Sequence, residues 1–387
     1  MSYPRRTVSS VLGSFGNAGA AHSVVETGRD LTPSAAVPGA PASPGNGEHM
    51  ATLATHFKTA LSNIEPTEDA KNAQSAHAEV TAALEADDLL VKLGVDPLLI
   101  GSYGRHVSIR RVKDVDVFAR LSKAGKDLRP GKILDHVEAV LEAAFPGRVT
   151  RQHRSVMVDF PDYDLSVDVV IARPCGDHWE IPEKIEDDGN ARWVETNPTK
   201  MAELTTQANK DYLLYDDDPG SGVYVPVVKL VRQIRRVWVD DQPGGYFFEV
   251  LTYHAFSNAK PDEATYAGYL TVVLREIADL LEDVADEGLD DPTLDGKKIK
   301  TKATAEQLAA AADRIAEAAT LAEDALDAED CPAAVKWREL LGTTKNTTTE
   351  EYVFPLPEYC NADGTRKQTS AVTRGASTVP AGSGRYA

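Results

Sequence analysis

Two aspartates separated by one valine, Asp114 and Asp116, most constrain what this chain can fold into. Because residues i and i+2 of a β-strand point to the same face, the two carboxylates project together while Val115 and Val117 project into a core. Carboxylates held side by side repel each other unless a cation lies between them, and such hard oxygen ligands suit Mg²⁺. The pattern predicts a strand that carries a magnesium site.

A third carboxylate is expected on a neighbouring strand, and Asp168 fits this role. In the segment 163–171 alternate residues are apolar, which leaves Asp168 on the opposite face together with Asp164. A second strand, over residues 154–160, would pair with this segment across a proline turn. Asp164 and Asp159 remain alternatives for the third carboxylate.

A glycine-rich turn, Gly101-Ser102-Tyr103-Gly104-Arg105, precedes the paired aspartates. Residues 96–100 before it predict a short buried strand. Glycine followed by serine at such a turn lets backbone N–H groups and a hydroxyl approach a phosphate closely. The dipeptide alone is a weak signal, and its weight comes from its spacing to Asp114 and Asp116. The turn and the carboxylates together predict phosphoryl chemistry, for which a pair of Mg²⁺ ions can hold the attacking and leaving oxygens.

The order of these motifs resembles the polymerase-β-type nucleotidyltransferases. Within that superfamily the chain resembles the bacterial CD-NTases, the SMODS-type relatives of animal cyclic GMP-AMP synthase and oligoadenylate synthetase. Three later segments come in the order that this family uses, namely Trp179 to Pro182, Trp193 to Pro198 and Val228 to Trp238. The resemblance covers roughly residues 50–355. It departs from the family at Val107, where a threonine is usual, and we expect a local change in hydrogen bonding there.

The resemblance implies an α+β fold, in which a nucleotidyltransferase lobe with a mixed β-sheet packs against a helical C-terminal lobe across a nucleotide cleft. It implies that ribonucleoside triphosphates are joined into a cyclic di- or trinucleotide messenger, with release of pyrophosphate, in bacterial anti-phage defence. Two Mg²⁺ ions, or Mn²⁺, would assist. The residues implied as catalytic and metal-binding are Asp114, Asp116 and Asp168, and those implied as nucleotide-binding are Gly101, Ser102, Arg105, Lys229 and Arg232.

The partners implied by the resemblance are a separate effector protein that the product activates and a regulatory protein or a conjugation partner at the C-terminus. Two other functional classes stay open. One is a nucleotidyltransferase that modifies an RNA or a protein acceptor, and the other is a catalytically silent nucleotide-binding module.

A basic stripe runs along the helix predicted from residue 226 to residue 238. Lys229, Arg232 and Arg236 lie at positions i, i+3 and i+7, while the apolar residues between them face a core. Nucleotide transfer needs cations near the leaving pyrophosphate, so the stripe is a candidate phosphate clamp. A solvated helix face with ordinary ion pairs explains it equally well. The family resemblance favours Lys229 as a phosphate contact and leaves Arg232 open.

The overall charge, the cysteines and the hydropathy limit which partners and which cellular compartment are expected. A net charge of -19 argues against strong nucleic-acid binding, because that binding relies on lysine and arginine. Cys175, Cys331 and Cys360 lie far apart without metal-ligand spacing, which predicts reduced thiols in a cytoplasmic protein. No apolar run approaches the length of a membrane span, so no membrane partner is expected.

The chain divides into four predicted segments. Residues 1–49 read as a disordered arm, with Met50 as an alternative start, and residues 50–195 as the catalytic lobe with an N-terminal bracing helix. Residues 196–355 read as the helical lobe, and residues 356–387 as a flexible tail. The acidic stretch 179–193 within the catalytic lobe is predicted to be a solvated loop.

Replacing both Asp114 and Asp116 by asparagine should abolish pyrophosphate release, because the site would lose the two carboxylates that hold the metal. Pyrophosphate release is measured with purified protein, nucleoside triphosphates and Mg²⁺, and circular dichroism checks that the fold is intact. Turnover retained by the folded double variant would contradict the mechanism.

Overall fold

The computed structural model describes residues 53–184, 191–239, 241–344 and 351–368. The predictions for residues 1–49 and for the tail beyond residue 368 lie outside these ranges. The helices are α1 Ala54–Ile64, α2 Thr67–Glu85, α3 Asp88–Lys92, α4 Gly101–Gly104, α5 Pro130–Ala144, α6 Pro198–Asp211, α7 Tyr224–Trp238, α8 Gly245–Asn258, α9 Tyr266–Glu287, α10 Ala305–Leu326 and α11 Asp330–Leu341. The strands are β1 Val95–Ile100, β2 Asp114–Leu121, β3 Val149–Arg151, β4 Val156–Phe160, β5 Leu165–Cys175, β6 His178–Lys184, β7 Ala191–Thr196, β8 Leu289–Asp290 and β9 Lys298–Ile299.

One mixed sheet carries the paired aspartates. Its main order is β1-β2-β5-β4-β3, and β6 pairs with both β5 and β7. Strands β2 and β5 are parallel, whereas β1 with β2 and β4 with β5 are antiparallel. The predicted strand over residues 154–160 is β4, and it pairs with β5 as expected. The α+β fold class is confirmed.

Two hydrophobic clusters form the core. In the first, the helices α2 and α5 pack on the sheet through residues such as Val80 and Leu134, both 0% exposed. The second is helical and is built by α7 to α11 around Trp337. The N-terminal helices contribute to both, because Phe57 of α1 lies in the helical cluster and Val80 of α2 in the sheet cluster. They brace the sheet and the helices together, and the boundary at residue 195 stays a prediction.

Within the stretch 179–193, predicted to be a solvated loop, residues 179–184 belong to β6 and residues 191–193 to β7, and the two strands pair antiparallel. The part of the prediction that concerns residues 185–190 lies outside the described ranges. The physical reason for the strands lies in Glu183, which is only 5% exposed because Arg154 and Arg192 both donate hydrogen bonds to its carboxylate. Burial alone would raise the pKa of Glu183, but these two guanidinium groups lower it to about 2. An acidic residue whose charge is paired in this way is compatible with a position in a strand.

The C-terminal segment differs from two predictions, namely a flexible tail from residue 356 onward and reduced thiols at all three cysteines. Residues 356–368 belong to a segment that packs on the helices, starting with Val353 and Phe354, both 0% exposed. Cys331 and Cys360 form a disulfide bond, with Cα atoms 5.3 Å apart, although 29 positions separate them in sequence. The prediction of reduced thiols was therefore wrong for this pair, because sequence distance says nothing about which cysteines the fold brings together. Cys175 is a free thiol, as expected.

Within the described ranges, no helix is long and apolar enough to cross a membrane.

Replacing Cys331 and Cys360 by serine should lower the free energy of unfolding by about 2 to 4 kcal/mol, because the unfolded chain loses a cross-link that closes a loop of about 30 residues. Urea unfolding without reductant measures the difference. Cys175→Ser is the control and should leave stability unchanged. Wild-type protein in excess dithiothreitol should match the double variant, and equal stability of all four samples would contradict the role of this bond.

Candidate active site

Parallel pairing of β2 with β5 brings the three predicted aspartates together. The register places Asp116 directly opposite Asp168, and Asp114 opposite Ser166. The valines between them are 0% exposed in the sheet core, which directs the carboxylates to the other face. The hydroxyl of Ser166 lies 3.3 Å from Oδ1 of Asp114.

The two alternatives for the third carboxylate lie elsewhere. Asp164 stands at the turn before β5, where the Nζ atom of Lys113 pairs with its exposed carboxylate at 2.5 Å. Asp159 is exposed on β4, opposite Ser166 rather than opposite Asp116. Only Asp168 of these three lines the same cleft as Asp114 and Asp116.

The turn before β2 touches the aspartates as the spacing predicts. Gly101 has φ +70, and a Cβ atom there would lie 1.9 Å from Oδ2 of Asp116. Any other residue would therefore displace the carboxylate as well as strain the backbone. The carbonyl of Ser102 accepts hydrogen bonds from the N–H groups of Val107 and Ser108 at 2.9 and 3.1 Å, which closes the turn. The Val107 side chain is fully buried in the helical cluster, so its methyl groups replace a hydroxyl at an apolar position.

Burial and mutual repulsion make the aspartates reluctant to ionise together. The pKa of Asp168 is raised to about 6, first by burial and then by the charges of Asp116 and Asp114, although a hydrogen bond from Ser155 at 3.4 Å opposes this. Burial also raises the pKa of Asp116, while the nearby guanidinium of Arg105 opposes the shift. A cation that binds next to these carboxylates lowers the free energy of the site, because it offsets their mutual repulsion.

The donor set fits a hard divalent cation. Asp114, Asp116 and Asp168 supply carboxylate oxygens from two adjacent strands, which is the ligand chemistry that Mg²⁺ and Mn²⁺ prefer. Among the described residues, no three acidic, histidine or cysteine side chains already form a closed metal site. The observation that supports a cation here is the concentration of negative charge at Asp116 and Asp168, where burial and the neighbouring charges raise both pKa values.

A cleft of about 590 Å³ opens in front of the aspartates. The predicted site residues that line it are Gly101, Ser102, Arg105, Asp114, Asp116, Asp168 and Arg232. Arg236, also in the predicted stripe, lines it too. Lys229 does not, since it is 9% exposed and its ammonium group pairs with Glu65. The stripe therefore divides, with Arg232 and Arg236 on the cleft and Lys229 in an ion pair behind it.

Arg105 also differs from a free phosphate ligand. Its Nε and Nη2 atoms donate hydrogen bonds to the two carboxylate oxygens of Glu249 at 2.6 and 2.9 Å. Arg232 approaches the same carboxylate at 3.7 Å. Of these two arginines, Arg232 is the one with its guanidinium incompletely paired.

Comparison with known proteins identifies a domain that contains the three aspartates. Residues 50–209 match the model of the Second Messenger Oligonucleotide or Dinucleotide Synthetase domain, SMODS. This part of the chain is similar to the SMODS domain of the bacterial CD-NTases. This confirms the resemblance inferred from the motifs and places the protein among nucleotidyltransferases.

Relatives of the SMODS domain extend the match along the chain. A cyclic AMP-AMP-AMP synthase from Acinetobacter sp. is 28% identical over 311 residues, which are 76% of this chain and 86% of the relative. The structure of Bradyrhizobium diazoefficiens CD-NTase CdnG in complex with GTP is 19% identical and has a TM-score of 0.56, covering 70% of this chain and 92% of that one. The E. coli MS115-1 CdnC:HORMA-deltaN complex is 18% identical with the same TM-score of 0.56, covering 76% of this chain and 98% of that one. The two structures agree on the fold.

Sequence reasoning missed two residues that line the cleft, Glu249 and Tyr246. Glu249 lies on α8 and has a fully buried side chain, and Tyr246, one turn earlier, lines the cleft with 42% of its surface exposed. The signal for Glu249 was present in the sequence, because a single acidic residue stands there among phenylalanine, valine and leucine. A buried carboxylate in an apolar helix requires a cationic partner.

Asp168→Asn should stabilise the metal-free protein at pH 7.5 by about 1 to 2 kcal/mol, a value reduced to allow for partial solvent exposure. The folded-state pKa of about 6 lies above the ordinary value of 3.8, so the wild-type carboxyl stabilises the fold below pH 3.8 and loses this contribution as the pH rises through 6. Asparagine has no such charge to bury. Urea unfolding in EDTA at pH 7.5 and pH 4.5 measures the gain, which should shrink at the lower pH.

Asp159→Asn removes one exposed negative charge from the same sheet and serves as the control. If Asp168→Asn did not raise the free energy of unfolding, or raised it equally at both pH values, the charge of Asp168 would not be what destabilises the metal-free fold.

Proposed function

We propose that this protein is a divalent-metal-dependent nucleotidyltransferase that joins ribonucleoside triphosphates into a cyclic oligonucleotide and releases pyrophosphate. The observation that carries the proposal is the juxtaposition of Asp116 and Asp168 on parallel strands, with Gly101 against Asp116 and arginines on the opposite wall. Similarity to the SMODS domain supports cyclic oligonucleotide synthesis as the reaction. Because one relative is named a cyclic AMP-AMP-AMP synthase, ATP is the first substrate to test.

Mg²⁺ or Mn²⁺ held by Asp114, Asp116 and Asp168 would supply positive charge at the reacting phosphate and at the attacking hydroxyl. Asp168 has the further role of proton acceptor. Its pKa of about 6 in the metal-free protein leaves it largely ionised at neutral pH and able to accept the proton of a ribose hydroxyl. Ser155 holds one oxygen of that carboxylate at 3.4 Å and so limits its rotation.

The triphosphate is assigned to the turn and to the basic wall. Gly101 and Ser102 present a backbone without a Cβ atom and a hydroxyl to the donor phosphates. Arg232 and Arg236 lie one helical turn apart on α7, where their charges can stabilise the leaving pyrophosphate. Arg236 already donates from both Nη atoms to the carbonyl of Arg110 at 3.2 Å, which fixes its direction. Lys229 would contact a phosphate only after leaving Glu65, so we assign it no direct role.

Tyr246 is the aromatic surface proposed to hold a base. Its partly exposed ring lines the cleft, and the Arg105 guanidinium lies 5.7 Å from the ring centroid on one side. Stacking of a base on such a ring stabilises binding without selecting one base by hydrogen bonds. The ring would therefore contribute affinity more than base specificity.

The partners follow from the chemistry of the product. A cyclic oligonucleotide is a diffusible ligand, so we propose that a separate effector protein binds it and is switched on in anti-phage defence. One structural relative was solved in complex with a HORMA protein, which supports a search for a regulatory partner.

The test uses the full chain with four labelled ribonucleoside triphosphates and Mg²⁺, followed by phosphatase treatment and separation of the products. We expect a phosphatase-resistant species, because a closed ring has no terminal phosphate. Omitting one triphosphate at a time identifies the bases. Asp168→Asn should lower the rate by about 100-fold or more, since it removes the proton acceptor, while Asp159→Asn should match the wild type.

Label transfer only to added RNA or protein would replace cyclic synthesis by acceptor modification. Absence of any Mg²⁺- or Mn²⁺-dependent turnover, with and without acceptors, would overturn the proposed function.

A further inference from the structure

A buried ion pair joins the turn before β2 to the helical cluster. Arg105 follows α4, and Glu249 lies on α8, yet their side chains are only 5% and 0% exposed. The guanidinium of Arg105 donates two hydrogen bonds to Glu249, at 2.6 and 2.9 Å. Arg232 approaches from α7, with Nη1 3.7 Å from Oε2 of Glu249. One buried carboxylate thus faces two guanidinium groups from different parts of the fold.

Asp116 competes with Glu249 for these guanidinium groups. Arg105 and Arg232 both attract the Asp116 carboxylate and oppose the rise that burial imposes on its pKa. The hydrogen bonds of the Arg105 side chain within the described part of the chain go to Glu249. A buried guanidinium that loses its carboxylate must find another. Asp116 is the available alternative, because it lines the same cleft as both arginines and, apart from Glu249, is the carboxylate whose charge acts on both.

We propose that Glu249 is a positioning residue for this site. By binding Arg105 from the helical side, it keeps Arg105 away from Asp116, so that the Asp116 carboxylate stays available to the divalent cation. By approaching Arg232 without pairing it fully, it holds that guanidinium at the cleft wall. The inference rests on the proposed function, because it concerns the same carboxylates and the cation they would bind.

The experiment measures Mn²⁺ binding to the full chain without nucleotide, by the electron paramagnetic resonance signal of free Mn²⁺. Glu249→Gln keeps the shape of the side chain and removes its charge, so Arg105 should turn to Asp116. We expect a loss of Mn²⁺ affinity of about 10-fold or more, as when residues that orient metal ligands are changed. Glu249→Asp retains the charge and should stay within about threefold of the wild type.

The double variant Arg105→Gln with Glu249→Gln distinguishes positioning from metal ligation. It removes the guanidinium that would occupy Asp116, so Mn²⁺ affinity should recover most of the loss. A Glu249 carboxylate that bound the metal directly would leave the double variant as weak as the single one. If Glu249→Gln fails to fold, the double variant still tests the proposal. Mn²⁺ affinity near that of the wild type would exclude Glu249 as a metal ligand. Mn²⁺ affinity at least 10-fold weaker than that of the wild type would overturn the proposal.

Glu183→Gln is the matched control. Glu183 is also a buried carboxylate that binds two arginines, Arg154 and Arg192, but it does not line the cleft. Both single variants should lower the melting temperature by several degrees, whereas only Glu249→Gln should weaken Mn²⁺ binding. Equal Mn²⁺ affinity of wild type, Glu183→Gln and Glu249→Gln would reduce Glu249 to a structural role and overturn the inference.

Failure of the proposed function gives a different result. A wild type that binds Mn²⁺ but turns over no nucleotide would overturn the reaction and leave the Mn²⁺ comparison to decide the role of Glu249. A wild type that binds no Mn²⁺ would overturn both.

Discussion

Repulsion among buried carboxylates is the constraint on which this structure depends. Parallel pairing of β2 with β5 holds Asp116 opposite Asp168. Ionising either carboxyl there is unfavourable, and the pKa of both is therefore raised. The surrounding structure supplies positive charge without neutralising the site. Gly101 allows close approach to Asp116 because it has no Cβ atom, and Arg105 and Arg232 line the same cleft. In the proposed function, a divalent cation beside the aspartates would balance their charge, and the arginines of the same cleft would balance that of a triphosphate.

The helical part of the protein contributes to the chemistry through charge placement. Glu249 is fully buried and accepts two hydrogen bonds from Arg105, while Arg232 and Arg236 line the cleft. The contacts with Glu249 measure 2.6 and 2.9 Å for Arg105 and 3.7 Å for Arg232. The two arginines therefore differ in how tightly the same carboxylate holds them.

Local patterns predicted much of the fold. Alternation of apolar residues located β2 and β5, and the strand predicted over residues 154–160 is β4, which pairs with β5 as expected. The errors came where polar residues had distant partners. Glu183 lies in β6 rather than in a loop because two arginines neutralise it, and Cys360 bonds to Cys331 across the packed C-terminal segment. Arg154 and Glu183 are separated by 29 positions in the sequence, and so are Cys331 and Cys360.

The sequence by itself determined the chemistry of the site. The spacing of Gly101, Ser102, Asp114 and Asp116, with Asp168 on a later strand, specifies carboxylates beside a phosphate-binding turn, because strand parity and turn geometry are local properties. Only the tertiary structure decided how the basic residues are used. Lys229 pairs with Glu65, Arg105 with Glu249, and Arg232 lines the cleft, since the partner of a long cationic side chain depends on which distant carboxylate the fold brings within reach.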